Sequence, residues 1–391
     1  MPSAAHWTTE ELEAELERRV AAYERSGRRD VRLLEDEGDG ADLSSAPVAL
    51  LGVGAAIAAP FVEHALRSLD VRLLVDNPRQ GREMFGRIMA GDEDFLELAA
   101  RMPDLVAVIC APGGWGMDHF VPLTRRAGVR TMLLFHAMRH FHWRNCGTER
   151  PFLDFINPDH SIAAWRQARA AGWYGEPECR RTLAALMLFR LSWAPHWLDQ
   201  ARRPYERIYF GSDAMAVGPD EILVDGGAFT GDTVADFHAH TGGRWGHVHS
   251  FEPDPVNASR FRDTVGAMDG VTLHRCGLWS RGTTLRFQGS GQIGSAVDEA
   301  GTEEIPVAAL DELDLGPVTL FKLDVEGSEA EALRGAAETI RRNKPKLLLS
   351  AYHRAGDIGN LAALAAELRP DYRFRLRHHS IGFLDTVIYA E

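Results

Sequence analysis

Short apolar runs separated by helical stretches recur in two parts of the chain. In the first part the runs lie at 48–51, 71–75, 105–110 and 131–135. In the second part they lie at 222–224, 248–251, 271–274, 320–323 and 346–350. Runs of this length fit buried strands, and their alternation with helical stretches is typical of a parallel sheet with crossover helices. The pattern predicts an α/β protein with two Rossmann-like domains.

The N-terminal residues have a helical pattern of their own. Thr8 and Glu11 have the spacing of a capping box. Apolar residues then recur at helical spacing, at Leu12, Leu16, Val20 and Tyr23. This apolar face must be covered either by the same chain or by a second subunit, so a homodimer stays open as a partner. The acidic, glycine-containing stretch 30–45 is interpreted as a linker.

The middle and the end of the chain complete the predicted organisation. Residues 158–199 have a helical pattern with several tryptophans and predict a helical segment that joins the two α/β domains. Residues 372–377 and 386–389 predict two strands that form an antiparallel hairpin at the edge of the second sheet. We divide the chain into an N-terminal helix and linker (1–45), a nucleotide-binding-type domain (46–145), a helical connector (146–215) and a C-terminal domain (216–391).

The strand at 222–224 is followed by the turn Asp225-Gly-Gly-Ala-Phe-Thr-Gly-Asp-Thr. A glycine-rich turn between a strand and a helix presents free N–H groups to a polar or anionic ligand. The glycine spacing is neither G-x-G-x-x-G nor that of a P-loop, which disfavours a diphosphate. Glu252 directly follows the next strand, where a parallel sheet holds a ribose diol. These residues predict a nucleotide-type ligand.

The first domain has a partial dinucleotide fingerprint. Gly52 and Gly54 follow its first predicted strand, Ile57 replaces the third glycine, and Asp76 follows the second strand. Partial fingerprints match often by chance, and Ile57 should crowd the helix against the strand. We therefore favour a structural or substrate-presenting role for this domain. A role as an NAD-dependent or sugar-nucleotide enzyme is the alternative.

Three blocks of the second domain together resemble a known family. They are Val-Asp-Gly-Gly-Ala-Phe-Thr-Gly-Asp-Thr from Val224, Phe-Glu-Pro-Asp-Pro from Phe251, and Phe-Lys-Leu-Asp-Val-Glu-Gly-Ser-Glu from Phe321. Their order and content resemble the FkbM-type methyltransferases, a branch of the class I enzymes that use S-adenosyl-L-methionine. The resemblance covers about 220–391 and implies a mostly parallel class I methyltransferase sheet with an antiparallel edge hairpin.

The resemblance also implies the cofactor and its contacts. S-adenosyl-L-methionine would lie across the carboxyl ends of the strands, with its methionine portion against the glycine turn and its ribose hydroxyls on Glu252. The implied cofactor-binding residues are Asp225, Gly227, Thr230, Gly231, Thr233, Glu252, Gly277 and Leu278.

Asp324 and His353 are the candidate catalytic residues. Asp324 follows the strand at 320–323, and His353 lies just past the strand at 346–350. The unperturbed pKa of histidine suits a general base that takes the proton of an alcohol. Asp324 could orient that base, hold the substrate hydroxyl, or bind Mg²⁺ with Glu326. As alternatives, Lys322 could form an ion pair with Asp324, and Glu326 and Glu329 could simply begin a helix.

Composition and charge narrow the choice of partner. A net charge of −13 argues against a nucleic-acid partner and favours a small-molecule substrate. No run of membrane length or leader-like N-terminus is evident, so we expect a cytoplasmic protein without a membrane partner. The four cysteines are far apart and suggest neither a zinc knuckle nor a disulfide framework. His136 and His140, one helical turn apart, are a weak metal pair, because no H-E-x-x-H frame surrounds them.

The sequence thus predicts an S-adenosyl-L-methionine-dependent methyltransferase. O-methylation of a hydroxyl on a small metabolite or sugar, in a biosynthetic pathway, is the leading hypothesis. N-methylation of a small molecule is an alternative, and it would need less help from a base. A silent scaffold is disfavoured by the intact set of Asp225, Gly231, Glu252 and Asp324.

Overall fold

The computed structural model describes residues 6–36, 43–141, 151–288, 296–297 and 303–391. The chain divides into two compact units. The first unit comprises Met1–Ile162, Arg181–Arg202 and Ser380–Leu384. The second unit comprises Ala163–Arg180, Arg203–His379 and Asp385–Glu391. The stretch predicted as a separate connector, 146–215, is therefore divided between the two units.

The first unit begins with the predicted N-terminal helix. Helix α1 spans Thr9–Arg25, and Thr8 and Glu11 form the predicted capping box. Its apolar face is covered within the single chain, since Leu12 and Leu16 are fully buried. The elements that follow are β1 (Pro47–Leu51), α2 (Ala59–Ser68), β2 (Asp70–Val75), β3 (Glu83–Met84), β4 (Arg87–Ile88), α3 (Asp92–Arg101), β5 (Val106–Ile109), α4 (Gly114–Ala127), β6 (Arg130–Leu133) and α5 (Leu134–Phe141).

The sheet of the first unit is parallel, with strand order β2-β1-β5-β6. Every residue of β1 and β5 is buried. Strands covered on both faces read as continuous apolar runs, which is why the sequence pattern located them. Two helices follow, α6 (Pro158–Ala171) and α7 (Pro177–Ser192).

The second unit contains most of the remaining elements. They are β7 (Ile222–Gly226), α8 (Asp232–Thr241), β8 (His247–Phe251), α9 (Pro255–Val265), β9 (Val271–His274), β10 (Gly277–Leu278), β11 (Thr283–Gln288), β12 (Ala296–Val297), β13 (Glu303–Ala308), β14 (Leu320–Leu323), α10 (Glu329–Gly335), α11 (Ala337–Asn343), β15 (Lys346–Ser350), α12 (Asp357–Leu368), β16 (Phe374–His378) and β17 (Thr386–Ala390).

The main sheet of the second unit has seven strands in the order β16-β17-β15-β14-β7-β8-β9. Strands β15, β14, β7, β8 and β9 are parallel, whereas β17 is antiparallel to both β15 and β16. The predicted edge hairpin is therefore confirmed. Strands β10 to β13 form a separate small sheet.

The core of the second unit lies between the sheet and its helices. Leu223, Leu320 and Leu348 on three neighbouring strands are fully buried. Val234 and Phe237 of α8 pack in the same cluster. The parallel strands all end at one edge of this core, so the loops that follow them are brought together. In the part of the chain that the structure describes, no helix has both the length and the apolar character needed to cross a membrane.

Candidate active site

The glycine turn after β7 is shaped by close contacts on two sides. Gly227 has φ +78°, and a Cβ there would lie 1.9 Å from the backbone oxygen of Asp324. Gly231 has φ +88°, and a Cβ there would lie 2.7 Å from Val265 on α9. The amides of Gly227 and Ala228 donate to the Phe251 carbonyl at 3.1 and 3.0 Å. Gly227 thus permits close approach of the end of β14, and Gly231 permits packing of two helices.

Asp225 lies beneath this turn and is completely buried. Its Oδ1 is 2.9 Å from the Nζ of Lys322, which stands beside it in the strand register. The same Nζ donates to the Gly227 carbonyl at 2.9 Å. The ion pair suggested between Lys322 and Asp324 is therefore wrong, because Lys322 forms its ion pair across strands with Asp225. Asp225 fixes the shape of the turn from below and presents no exposed surface to a ligand.

Glu252 lies against the same turn. Its Oε2 accepts a hydrogen bond from the Phe229 amide, and its Oε1 accepts one from the Asp254 amide, each at 2.9 Å. Burial raises the pKa of Glu252 to about 7, against the opposing effect of these two amides. Each oxygen of an ionised carboxylate can accept a second hydrogen bond. The carboxylate is therefore held in one orientation with capacity left for a ligand hydroxyl.

The other predicted cofactor residues lie near the same strand ends, but they differ in how exposed they are. A Cβ on Gly226 would lie 3.0 Å from Leu278, and one on Gly277 would lie 3.8 Å from Pro253. The residues 277–278 are therefore adjacent to the ends of β7 and β8. Thr230 in the turn is half-buried, whereas Thr233 in α8 is 7% exposed. Thr230 is the better placed of the two threonines to meet a ligand.

Asp324 is the acceptor at the centre of a second group of side chains. Tyr209 donates to its Oδ2 at 3.0 Å, and Tyr352 donates to its Oδ1 at 2.7 Å. Burial alone would raise the pKa of Asp324, but nearby Lys322 and His353 together with the two hydroxyls lower it. The Asp324 side chain is 25% exposed. Asp324 is thus an ionised, rigidly held carboxylate with an accessible surface.

His353 is surrounded by carboxylates and is 1% exposed. Its Nδ1 lies 2.8 Å from Glu329, and its Nε2 lies 3.4 Å from Asp324 and 3.7 Å from Glu326. Burial would lower the pKa of His353, but these carboxylates outweigh burial and raise it to about 10. The carboxylates therefore hold the pKa of His353 well above the ordinary value for histidine. His353 is an imidazolium at neutral pH and already carries the proton that a general base would have to accept.

The suggested Mg²⁺ site at Asp324 and Glu326 does not fit this geometry. Mg²⁺ prefers an octahedral shell of oxygen ligands. Here the Nε2 of the His353 cation lies within 4 Å of both carboxylates. The hydroxyls of Tyr209 and Tyr352 also donate to the two oxygens of Asp324, one to each. The imidazolium supplies, beside both carboxylates, the positive charge that a metal would have supplied.

Three residues around Asp324 and His353 were not predicted from the sequence to be site residues. Tyr352 directly precedes His353 after β15, and its position next to a candidate site residue was a usable signal. Glu329 was assigned only a helix-starting role, although it is 1% exposed and accepts from the Val325 amide at 2.8 Å. Tyr209 lies 115 residues before Asp324 in a short 3-10 turn, and nothing in the local sequence pointed to it.

In the first unit, nearby side chains of the same chain fill the space beside the glycine turn. The Gly54 amide donates to Asp76 Oδ2 at 2.7 Å, and Arg79 donates to Asp76 Oδ1 at 3.0 Å. A Cβ on Gly54 would lie 2.1 Å from the Arg79 guanidinium. Residues near Ile57 form a 3-10 turn ahead of α2. Asp76 therefore holds the turn and Arg79, and the Arg79 guanidinium lies close to Gly54.

The second unit is similar to known methyltransferases. Residues 225–376 match the Methyltransferase FkbM domain family. The crystal structure of Methyltransferase FkbM from Methylobacillus flagellatus is similar over 97% of this chain and 100% of that one, with 25% identity and a TM-score of 0.73. An rRNA methylase from Streptococcus thermophilus has 14% identity over 45% of this chain and 88% of its own, with a TM-score of 0.30. No curated protein matches the chain.

A parallel sheet with an antiparallel edge hairpin, and a glycine turn and acidic residues at its carboxyl edge, define the second unit as a class I methyltransferase-type domain. The domain at 225–376 belongs to the FkbM methyltransferases.

Proposed function

We propose that the second unit is an S-adenosyl-L-methionine-dependent methyltransferase that methylates a hydroxyl group of a small molecule. The observation that carries the proposal is the convergence of two groups at one sheet edge. The turn at Gly227 and the carboxylate of Glu252 form the first group, and Asp324 with its two tyrosines forms the second. Gly227 and Asp324 are in direct contact, because a Cβ on Gly227 would overlap the Asp324 carbonyl.

The cofactor contacts follow from the placement of the first group. In this proposal the half-buried Thr230 and the backbone of the turn meet the methionine portion, and Glu252 accepts from the ribose hydroxyls. Gly277 and Leu278 border the adenine. Asp225 and Lys322 act as positioning residues, since their buried ion pair and the bond to the Gly227 carbonyl set the shape of the turn. When bound, S-adenosyl-L-methionine supplies an electrophilic methyl group on a sulfonium.

Asp324 is the proposed proton acceptor. Methyl transfer to a hydroxyl oxygen produces a protonated ether, which is strongly acidic, so even a carboxylate of low pKa can take the proton. A positioned base of this kind typically contributes about 10² to 10⁴-fold to the rate. Tyr209 and Tyr352 hold the Asp324 carboxylate, which is the alignment that a short-range proton transfer requires.

His353 is assigned a positioning role in this proposal. Its cation balances the charge of three neighbouring carboxylates, Asp324, Glu326 and Glu329. Without that cation the three negative charges would repel one another in a partly buried site. N-methylation stays an alternative. An amine acceptor depends less on proton removal by a base, so the aligned Asp324 carboxylate would contribute less to the rate.

Calorimetric titration of the whole chain with S-adenosyl-L-methionine, S-adenosylhomocysteine and NAD⁺ tests the proposal. We expect the two adenosyl-sulfur ligands to bind at one site per chain and NAD⁺ to give no signal. Glu252→Ala should weaken both ligands by about tenfold or more, since it removes charge-assisted acceptors. Asp236→Asn on the exposed face of α8 is the control and should bind normally. Binding of NAD⁺ alone would overturn the assignment.

A further inference from the structure

A second group of potential ligands lies in the first unit, far in sequence from the methyltransferase motifs. His136 and His140 are one turn apart on α5, and both Nε2 atoms face Glu35. The His140 Nε2 lies 2.8 Å from Glu35 Oε1, and the His136 Nε2 lies 3.3 Å from the same oxygen. The sequence suggested the histidine pair, but Glu35, 101 residues before His136, was assigned to a linker.

The three side chains are sheltered and held in place. The side chains of His136, Glu35 and His140 are 4%, 2% and 17% exposed. The backbone at Glu35 is fixed because Arg19 donates to the Leu34 carbonyl at 3.0 Å. Helix α5 is fixed by Arg139, which is fully buried and donates to the carbonyls of Ile156, Phe155, Arg190 and Leu191. The three ligand atoms are therefore preorganised.

Hydrogen bonding within the group leaves one buried atom without a partner. The His136 Nε2 makes no hydrogen bond of acceptable geometry, although it lies 3.3 Å from Glu35 Oε1. Leaving a buried polar nitrogen unsatisfied is unfavourable. Both imidazoles lie next to the same Glu35 Oε1, and only the contact with His140 has hydrogen-bond geometry. A cation bound to both Nε2 lone pairs and to the carboxylate would satisfy all three groups.

The spacing of these atoms suits a tetrahedral metal ion. Bonds of about 2.0 to 2.1 Å around a tetrahedral zinc place neighbouring ligand atoms ~3.3 Å apart. The observed separations of 2.8 and 3.3 Å are close to this value, and all three ligand atoms lie within 4.8 Å of one another. Two imidazoles and one carboxylate are a donor set typical of zinc and related divalent ions. Mg²⁺ prefers oxygen ligands and is disfavoured.

We propose that Glu35, His136 and His140 form a binding site for one divalent transition-metal ion, with zinc as the reference ion. Three protein ligands leave a coordination position for water or for an oxygen of a small molecule, as in catalytic zinc sites. The Arg139 cation is on the same helix and opposes a second positive charge, so we expect moderate affinity. The site is independent of the methyltransferase function proposed for the second unit.

The test must separate this site from the cluster in the second unit. Asp324, Glu329 and His353 also bring three potential ligand atoms together. The whole chain is first freed of bound metal with a chelator. It is then titrated with Zn²⁺, followed by calorimetry, and with Co²⁺, followed by visible absorption. We expect one ion per chain and the intense d–d bands of a four- or five-coordinate Co²⁺ ion. Glu35→Gln and His140→Ala should each weaken Zn²⁺ binding by about 10²-fold or more, since each removes a direct ligand.

Two variants serve as matched controls. His64→Ala removes a histidine of the first unit on α2, outside the group, and should bind Zn²⁺ like the unaltered chain. Asp324→Asn disables the cluster of the second unit and should also bind Zn²⁺ normally. Loss of the ion in Asp324→Asn with retention in Glu35→Gln would place the metal in the second unit and overturn the proposal. So would a dissociation constant for Zn²⁺ weaker than about 0.1 mM.

Folding of the variants is checked by circular dichroism. If Glu35→Gln does not fold, His140→Ala decides, because His140 is the most exposed of the three ligands. Retention of both the Co²⁺ bands and the Zn²⁺ stoichiometry in a folded His140→Ala would also overturn the proposal.

Discussion

At the scale of single residues, Glu252 has the property that most directly affects ligand binding. It is 6% exposed, and burial raises its pKa to about 7. A ribose diol donates two hydrogen bonds, which only the ionised carboxylate accepts in full. If Glu252 accepts the ribose diol as proposed, binding of the cofactor and loss of the Glu252 proton are linked.

The linkage predicts a pH dependence of affinity. Because the ligand stabilises the ionised form, affinity for S-adenosylhomocysteine should be highest above pH 7 and fall as the pH drops below about 7. The limiting slope is about tenfold per pH unit for one proton. Calorimetry at a series of pH values measures it. Glu252→Gln cannot ionise and should bind more weakly with little slope, so an equal slope in that variant would show that another group titrates.

Asp324 determines the expected kinetic phenotype. Asp324→Asn keeps the size of the side chain and its contacts near Tyr209 and Tyr352 but removes the proton acceptor. We expect turnover to fall by about 10² to 10⁴-fold. Affinity for S-adenosylhomocysteine should change little, because the proposed function places Asp324 on the acceptor side of the site. Single-turnover kinetics together with calorimetry separates the two effects, and undiminished turnover would remove Asp324 from the mechanism.

The sequence located these residues better than it predicted their environments. The order strand, turn and acidic residue placed Asp225, Glu252 and Asp324 at strand ends, since a parallel sheet leaves little choice. It could not show that Lys322 pairs with Asp225, because that contact depends on the register of two strands 97 residues apart. Likewise the pKa of His353 depends on Glu329 and on burial, which are properties of the folded chain.

At the scale of structural elements, the loops after β7 and β14 are joined at Gly227. The Gly227 backbone lies against the backbone carbonyl of Asp324. A side chain at position 227 would therefore overlap a backbone atom, which cannot rotate away as the end of a side chain could. The loop after β14 carries Asp324, and the Asp324 amide donates to the Gly226 carbonyl at 3.0 Å. A change at Gly227 should therefore reach both the cofactor side and the acceptor side of the site.

Gly227→Ala tests this coupling. An alanine with positive φ is destabilising by about 1 to 2 kcal/mol, and the overlap with the Asp324 carbonyl adds to this. Gly242→Ala is the matched control, since Gly242 at the end of α8 also has a positive φ, +65°, but faces open space. We expect urea unfolding to show a larger loss for Gly227→Ala, and only that variant should lose affinity for S-adenosylhomocysteine. Equal behaviour of the two variants would argue that backbone strain alone matters.

At the scale of the whole molecule, the chain enters and leaves each unit more than once. Residues 163–180 belong to the second unit, although they precede its first main-sheet strand by more than 40 residues. Periodicity predicted helices there but carried no information about which unit would contain them, because a buried helix face fits any apolar surface. The boundary at 216 followed the first recognisable motif, whereas the compact unit depends on contacts made by earlier residues.

Those contacts predict that fragment 216–391 is an incomplete unit. It lacks Tyr174, whose hydroxyl donates to the Ile358 carbonyl at 2.8 Å, and Asp213, which lies 2.9 Å from the Arg377 guanidinium. It also lacks Tyr209 beside Asp324. The Arg377 side chain is 4% exposed and that of Asp213 is 47% exposed, so loss of Asp213 removes the carboxylate partner of a buried guanidinium and is destabilising. Fragment 163–391 restores all three residues.

We therefore expect the free energy of unfolding to be lower for fragment 216–391 than for fragment 163–391. Affinity for S-adenosylhomocysteine should follow the same order, because a ligand binds only the folded form. Urea unfolding followed by circular dichroism, with calorimetry, measures both. A fragment 216–391 as stable as fragment 163–391 would mean that residues 163–215 are attached to the methyltransferase domain without supporting it. The predicted order would mean that they are part of its fold.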